Sequence, residues 1–380
     1  MKKLVHIITG LNDGGAEAVL YRLCTAPQKS IRHQVISMLD MGKYGQILQD
    51  SGIEVYALNC CRGPSALFSI YTLSRMIRLL QADIVQTWMY HANLVGGMAA
   101  HLAGCKSVIW GIRHTNLDHN KKTTQLVSWL CSRLSRRIPS VIVCCSDSSA
   151  QIHEKYGYDA TKLSVIYNGY DLKHFTPSQY ARKQIRNELG VPHDRLLLGM
   201  VGRWNAQKDH ANLLQALAMV QKSNSNVICL LVGPQITNDN IALAKMIEKY
   251  GLCSNVRLLG RRFDIPAIMN ALDIHVLSSA FGEAFPNVVA EAMACGTPCI
   301  VTDVGDAGAI VGNSDWVVPP KQPYLLANAI MRAADTIHAE GRDSVGLRCR
   351  KRISNNFSLD RMVQAYSDLW NDIWQETLPG

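Results

Sequence analysis

Short, nearly continuous apolar runs alternate with helical patterns along the whole chain. Lys3–Thr9, His33–Leu39, Glu54–Leu58, Asp83–Trp88, Ser107–Arg113, Ser140–Ser146 and Leu163–Tyr167 read as buried strands. Between most of them the apolar residues take helical spacing, as at Leu67, Ile70, Leu73, Ile77 and Leu80. The alternation restarts at Leu196–Val201 and runs on through Val227–Val232, Val256–Leu259, Asp273–Leu277 and Pro298–Thr302. Strands that are apolar on both faces, each followed by a helix, predict parallel sheets covered on both sides. Two such series, of roughly seven and six strands, predict an α/β chain of two Rossmann-like domains in tandem.

The break falls between Asn168 and Leu196, where Asn168-Gly169 supplies a turn, Pro177 a stop and Arg182–Gly190 a polar helix. This divides the chain into residues 1–176 and 177–358. A last helical pattern, residues 359–377, carries Met362, Tyr366, Leu369, Trp370, Ile373 and Trp374. An aromatic face of that size needs a partner surface, and the helix is expected to pack back on the first domain. In open parallel sheets a ligand binds beyond the carboxyl ends of the strands, so candidate site residues are sought just after strands. Two such sheets facing a central cleft would bring two sets of these ends together.

Composition agrees with two globular domains. A chain of 380 residues exceeds what one core usually covers, about 250–300 residues. With 48% hydrophobic and 18% charged residues it is no disordered chain. The net charge of +9 becomes informative once it is located. Residues 1–180 hold 19 Lys+Arg against 11 Asp+Glu, and residues 181–380 hold 20 against 19. A basic half meets an anionic membrane, an anionic substrate or nucleic acid, or is only a solvated face. No basic-aromatic recognition motif accompanies the charge, so nucleic acid is not expected.

The twelve cysteines include the pairs Cys60-Cys61 and Cys144-Cys145 but no Cys-x-x-Cys, which supports neither a zinc ribbon nor a redox motif. Most lie in apolar runs and read as reduced core residues, pointing to a reducing compartment. Met1-Lys2-Lys3 followed by Leu4, Val5, Ile7 and Ile8 imitates a signal peptide, but His6, Asn12 and Asp13 interrupt it and a first strand is the better reading. No stretch approaches the ~18 uninterrupted apolar residues of a membrane span, so any membrane contact is expected to be peripheral.

Three motifs come directly after strands. Thr9-Gly10-Leu11-Asn12-Asp13-Gly14-Gly15-Ala16-Glu17 opens a helix, and paired glycines let backbone amides approach an anion there. It has neither the dinucleotide spacing Gly-x-Gly-x-x-Gly nor a P-loop ending, and on its own it is equally an ordinary strand-to-helix turn. Val201 to His210 holds Arg203 and Lys208, five residues apart across a loop, a pair suited to clamping a diphosphate. The most specific runs from Phe281 to Pro298: Glu283 sits in a loop, Phe285 and Pro286 precede a helix, and amides near Asn287 and Val288 can take a phosphate. Glu291 then lies in a helix of Ala, Val and Met, where a carboxylate is costly unless paired, either with ribose hydroxyls or with an arginine.

In that order and spacing, these motifs resemble the retaining glycosyltransferases of family 4, also called group 1, with the two-domain GT-B fold. The likeness takes in the early Gly-Gly-Ala-Glu, Val165 to Asp171 at the junction, Gly202-Arg203 with Lys208, and the two glutamates eight apart. It implies an acceptor-binding first domain and a second domain that binds a nucleotide sugar, with a UDP-hexose or UDP-N-acetylhexosamine as donor. Gly14 and Gly15 would approach sugar or phosphate. Arg203 and Lys208 would hold the diphosphate, Glu283 the donor sugar, Glu291 the ribose, and the loop Gly260-Arg261-Arg262-Phe263 the base. His91, or alternatively His114, would stand near the reacting sugar. Ala284 departs from the Gly of many members, and Tyr167 from the usual Pro. There is no Asp-x-Asp, which agrees with a site that requires no metal and no cofactor.

Transfer with retention onto a hydroxyl of a polyprenyl-diphosphate-linked or other lipid-linked saccharide is the reaction this implies, in O-antigen, capsule or other surface polysaccharide synthesis. Residues 121–138 form an amphipathic helix with Leu126, Trp129, Leu130 and Leu134 near Arg133, Arg136 and Arg137. That composition suits the surface of an anionic bilayer, at the cytoplasmic face of the inner membrane, or a helix packed on the sheet with its basic face in water. A nucleotide-sugar epimerase of the same fold is the alternative activity. A non-enzymatic membrane- or nucleic-acid-binding protein is a weaker one.

Overall fold

The computed structural model describes residues 1–12, 14–28, 30–59, 66–115, 122–223 and 226–376, without the side chains of Ala66, Leu67 and Lys122. Asp13, the Cys60-Cys61 pair, residues 116–121 and Thr377 therefore lie outside the described residues. The chain divides into two compact units, residues 1–169 with 359–380 and residues 170–358.

Unit 1 begins β1 (Lys2–Ile8), α1 (Gly15–Thr25), β2 (Ile31–Ser37), α2 (Gly42–Asp50), β3 (Glu54–Ala57) and α3 (Ala66–Leu80). It continues β4 (Ile84–Trp88), α4 (Tyr90–Ala103), β5 (Val108–Ile112), α5 (Lys122–Leu134), β6 (Val141–Cys144), α6 (Asp147–Lys155) and β7 (Leu163–Val165). Unit 2 begins α7 (Gln179–Glu188), β8 (Leu196–Val201), α8 (His210–Ser223), β9 (Val227–Val232), α9 (Ile241–Lys249) and β10 (Val256–Leu258). Then come α10 (Ile265–Ala271), β11 (Ile274–Leu277), α11 (Asn287–Ala294), β12 (Cys299–Thr302), α12 (Ala307–Val311), β13 (Val317–Val318), α13 (Pro323–Glu340) and α14 (Arg342–Asn356). The closing helix α15 (Leu359–Glu376) returns to unit 1.

Both sheets are parallel and share one winding. Unit 1 orders its strands β3-β2-β1-β4-β5-β6-β7, and unit 2 β10-β9-β8-β11-β12-β13. In each, the first strand lies beside the fourth: Leu4 stands opposite Ile84 in one sheet and Ile274 opposite Leu198 in the other. The winding reverses there, and such a switch point opens a crevice past the strand ends. The fold therefore singles out the loops after β1 and β4 in unit 1, and those after β8 and β11 in unit 2.

Alternation along β1 builds the core of unit 1. Leu4 and Ile8 join α1 and α15, through Val19, Leu20, Tyr366 and Trp370, on one face of the sheet. Val5 and Ile7 join α3, α4 and α5, through Ile70, Leu73, Ala99 and Cys131, on the other. Polar bonds fix α15 in place: Trp370 Nε1 donates to Gln86 Oε1 at 2.8 Å, and Arg113 Nη2 to Tyr366 Oη at 2.5 Å. Arg113 also donates to Asn168 Oδ1 at 2.7 Å, so the junction turn is held to this unit's sheet.

The basic helix of unit 1 is shorter than its pattern implied. α5 ends at Leu134, and Arg136 and Arg137 fall in the turn beyond it. Pro139 keeps the helix from resuming, because a proline disfavours helical geometry in the residue before it. In unit 2 the polar helix α7 is docked by its arginines. Arg182 Nη2 and Arg186 Nη1 reach the carboxylate of Asp273 at 2.6 and 3.3 Å, and Arg186 is fully buried. Among the described residues ten cysteines are free, and all but Cys105 and Cys253 are buried.

Candidate active site

The loops after β8 and β11 are bonded to each other, and two charged motif residues of unit 2 meet there. Lys208 Nζ lies 2.7 Å from Glu283 Oε1, with side chains only 13% and 8% exposed. Ser279 Oγ donates to the same carboxylate oxygen at 2.7 Å. Ser278 Oγ, one residue earlier, is 3.0 Å from the carbonyls of Lys208 and Asp209, and Ala280 N donates to Gln207 O at 2.8 Å. Thr302, at the end of β12, donates from Oγ1 to Ser279 O at 2.6 Å. Three neighbouring strand ends therefore hold one ammonium and one carboxylate in a fixed place.

Backbone shape allows this crowding. Gly305 has a φ of +61°, and a Cβ there would stand 2.1 Å from Glu283 O, so no other residue lets the chain pass. Asn205 caps the short turn at Ala206–Lys208 by accepting from Lys208 N–H at 3.1 Å. Beneath Lys208 lie two buried imidazoles. Burial, reinforced by the Lys208 charge, pushes His275 down to about 3 and His210 down to about 4. Both are neutral near pH 7, so the cation rests on an uncharged floor.

Arg203 is exposed and makes no hydrogen bond or ion pair with the described residues. Phe285 is buried, and Asn287 opens α11 with Val288 half-buried beside it. Pro286 at the N-cap has no side chain to accept from the first amides of the helix. The Tyr170 hydroxyl donates to Asn287 Oδ1 at 2.7 Å. Glu291 comes one turn into α11, half-buried. In the 260–263 loop, Phe263 is 79% exposed with the Arg261 guanidinium 5.3 Å from its ring centre. Arg262 is instead tied to Glu188 and Asp264 at 2.6 and 2.7 Å.

The remaining expected residues belong to unit 1. Gly14 is the N-cap of α1 and Gly15 its first residue, past the end of β1. The Glu17 carboxylate curls back over Gly14, where a Cβ would meet Oε2 at 2.4 Å. Burial raises the Glu17 pKa, countered in part by a bond to its own backbone. His91 is exposed in the first turn of α4, after β4, and His114 is exposed after β5, its carbonyl accepting from Ser149 Oγ at 3.1 Å. Met89, just before α4, has a φ of +72°, a rare and strained value for a side chain of that size. Arg133, Arg136 and Arg137 are exposed, with Arg133 5.5 Å from the centre of the Trp129 ring.

Among the described residues, the side chains that converge as a metal site would are His6, Cys24 and His33, in the core of unit 1. Trp88 Nε1 can only donate, and it sits 3.2 Å from His6 Nδ1. The His6 proton is then on Nε2, 3.0 Å from His33 Nδ1. A hydrogen-bonded chain fills the space between the rings, and the donor set does not fit a metal as it stands.

Two residues to which the sequence motifs assign no role take part in the unit 2 site. Ser279 holds Glu283, and Tyr170 holds Asn287. Ser279 lies two residues past the strand that precedes the motif, a signal that was available. The partner of Tyr170 is 117 positions away and leaves no local trace.

Two family profiles match successive stretches: "Glycosyltransferase Family 4" over residues 13–174 and "Glycosyl transferases group 1" over residues 181–340. A similar curated protein is the UDP-Gal:alpha-D-GlcNAc-diphosphoundecaprenol alpha-1,3-galactosyltransferase of Escherichia coli, 26% identical over 88% of this chain and 87% of that one. A D-inositol 3-phosphate glycosyltransferase of Corynebacterium urealyticum is 29% identical over 73% of this chain and 72% of its own. Among solved structures, HepE of Anabaena in complex with UDP superposes with a TM-score of 0.86 at 23% identity, covering 98% of this chain and 100% of that one. The last likeness speaks for the fold.

Proposed function

We propose that this chain, which belongs to the family 4, or group 1, glycosyltransferases with the GT-B fold, moves a hexose or N-acetylhexosamine from its UDP derivative to a lipid-linked saccharide. The observation that carries this reading is the Lys208–Glu283 pair, locked between strand ends at the switch point of unit 2 beside the start of α11. A cation for the diphosphate and a carboxylate for sugar hydroxyls stand 2.7 Å apart, so one small ligand carrying both groups reaches both. The name of the E. coli relative, which spans most of both chains, supports a UDP-sugar donor and a diphosphoundecaprenol-linked acceptor.

In the mechanism, Arg203 and Lys208 offset charge on the departing diphosphate, the electrostatic term expected to dominate such chemistry. Glu283 exchanges its bond to Lys208 for donor-sugar hydroxyls, steadied by Ser279. Glu291 accepts from the ribose, and the amides of Asn287 and Val288 meet a phosphate at the positive end of α11. His91 or His114 orients the acceptor. The acceptor hydroxyl attacks on the face the leaving group departs from, with the leaving phosphate helping to take its proton, which retains the anomeric configuration. These cations and amides do the work a metal does elsewhere.

A lipid-linked acceptor calls for a peripheral seat on the cytoplasmic face of the inner membrane, and unit 1 has the surface for it. No described helix is long and apolar enough to cross a membrane. On one face of the sheet, α3, α4 and α5 contain no acidic residue. Their exposed positions include Phe68, Tyr71, Leu79, Leu126 and Trp129, alternating with Arg75, Arg78 and Arg133. Aromatic and basic residues without acids suit anionic headgroups.

The test is incubation with radiolabelled UDP-sugars, with and without membrane lipid extract. Label entering the lipid phase only when extract is present supports the reading. A UDP-sugar altered without any acceptor would replace it with epimerisation.

A further inference from the structure

Tyr170 lies in the junction stretch Val165 to Asp171, and its buried hydroxyl has no part in the mechanism above. Tyr170 is the first residue of unit 2, and its N–H donates to Phe357 O at 3.0 Å. Its ring lies nearly parallel to Phe285, with centroids 6.5 Å apart, and Phe285 meets Phe357 edge-on at 5.2 Å. Ring packing alone would hold this corner, and phenylalanine at 170 would pack the same way. A hydroxyl in a fully buried side chain is costly unless it is bonded, and this one bonds to Asn287 Oδ1 at 2.7 Å.

The geometry points to Tyr170 as a positioning residue for the nucleotide sugar, fixing which end of the Asn287 carboxamide faces the ligand. The inference rests on the nucleotide-site reading above. A carboxamide has an accepting end and a donating end, and an anion needs the donating one. The 2.7 Å separation is that of an O–H···O bond, so the tyrosine donates and Oδ1 accepts. Nδ2, with two N–H groups, is then on the opposite branch. Asn287 is also the first residue of α11, where the leading backbone amides point out of the helix. The hydroxyl thus holds the carboxamide against the flipped state, which would put an oxygen on the branch where Nδ2 stands. Neither serine nor a hydrophobic residue at 170 reaches Asn287 while filling the space between Phe285 and Phe357.

The experiment is calorimetric binding of UDP to the full chain, with ADP and GDP as alternative probes, alongside thermal unfolding. Tyr170→Phe keeps the rings and removes only the hydroxyl. It should weaken UDP binding about fivefold to tenfold, the value of one ordinary hydrogen bond, with the melting temperature unchanged. Asn287→Asp still accepts from Tyr170 but has no N–H to give, and should lose more than Tyr170→Phe. In an Asn287→Ala background, Tyr170→Phe should cost nothing further. Wild-type affinity in Tyr170→Phe, an equal loss in the Asn287→Ala background, or a fall in melting temperature that accompanies the weaker binding would each overturn the positioning role. If Asn287→Ala and Arg203→Ala bind UDP as wild type does, or the wild type binds none of the three nucleotides, the nucleotide-site reading itself falls and takes this inference with it.

Discussion

The two units share one winding and use charge in opposite ways. In unit 1 the arginines of α3 and α5 lie on the surface, on a helical layer without acids, beside exposed Phe68, Tyr71 and Trp129, while Arg113 is buried. In unit 2 several have an assigned partner: Lys208 has Glu283, Arg186 has Asp273, Arg262 has Asp264, and Arg350 donates to the carbonyls of Leu172, Phe175 and Ala294. Bulk charge attracts an extended anionic surface, and its strength is set by number and by salt. Placed charge recognises one small anion, because low exposure strengthens each contact and fixes its geometry. On the proposed reading one winding serves two kinds of recognition, and Arg203 is the site cation that stays exposed.

The comparison can be broken by separating the stability of one unit from the chemistry of the other. Trp370→Ala removes a fully buried ring and its bond to Gln86, and should destabilise unit 1 by about 3–5 kcal/mol. Denaturant unfolding should show an early transition assigned to unit 1, while UDP still protects unit 2. A single transition shifted as a whole would mean that the units do not unfold separately.

Next in size, Lys208→Ala and Glu283→Gln should each lower transfer about 100- to 1,000-fold at unchanged fold, read from initial rates and circular dichroism. Normal turnover in either would remove the pair from the chemistry. Neutralising Arg133, Arg136 and Arg137 together should cost about 1 kcal/mol for each charge in binding to phosphatidylglycerol vesicles, and nothing in UDP affinity. Unchanged flotation would return those arginines to a merely solvated face.

Acid should separate the two units least. His275 and His210 have folded pKa values near 3 and 4, against an ordinary value of 6.5. The unfolded chain therefore binds more protons, and stability is complete above about pH 6.5 and falls as pH drops toward those values. Each histidine should contribute a slope of about 1.4 kcal/mol per pH unit in that window. In unit 1, burial lowers His33 and His153 to about 4 as well, so both units should weaken together below pH 6. A midpoint independent of pH between 6.5 and 4.5 would contradict the buried neutral state.

Much of this was legible from the chain. The strand of Ile7 and that of Leu231 were readable because parallel strands are apolar on both faces, and their ends fall within a residue or two of the pattern. β13 was not, since two residues, Val317 and Val318, make no pattern. Strand order was hidden too, because β1 meets β4 across 80 residues through packing and crossover handedness. At the site, the residue types were visible in the motifs, but their pairing was not. Lys208 and Glu283 read as servants of two different groups of the ligand, and only folding shows that they hold each other. α7 reads as a polar surface helix, yet Arg186 is buried because Asp273 and main-chain carbonyls compensate its charge.

Hydrogen–deuterium exchange of one sample, with UDP added and then with phosphatidylglycerol vesicles, tests the division between the units most directly. The account predicts that UDP protects residues 203–209 and 279–291 and leaves 68–79 and 126–137 unchanged, while vesicles do the reverse. Protection of 126–137 by UDP alone, or of 203–209 by vesicles alone, would contradict it.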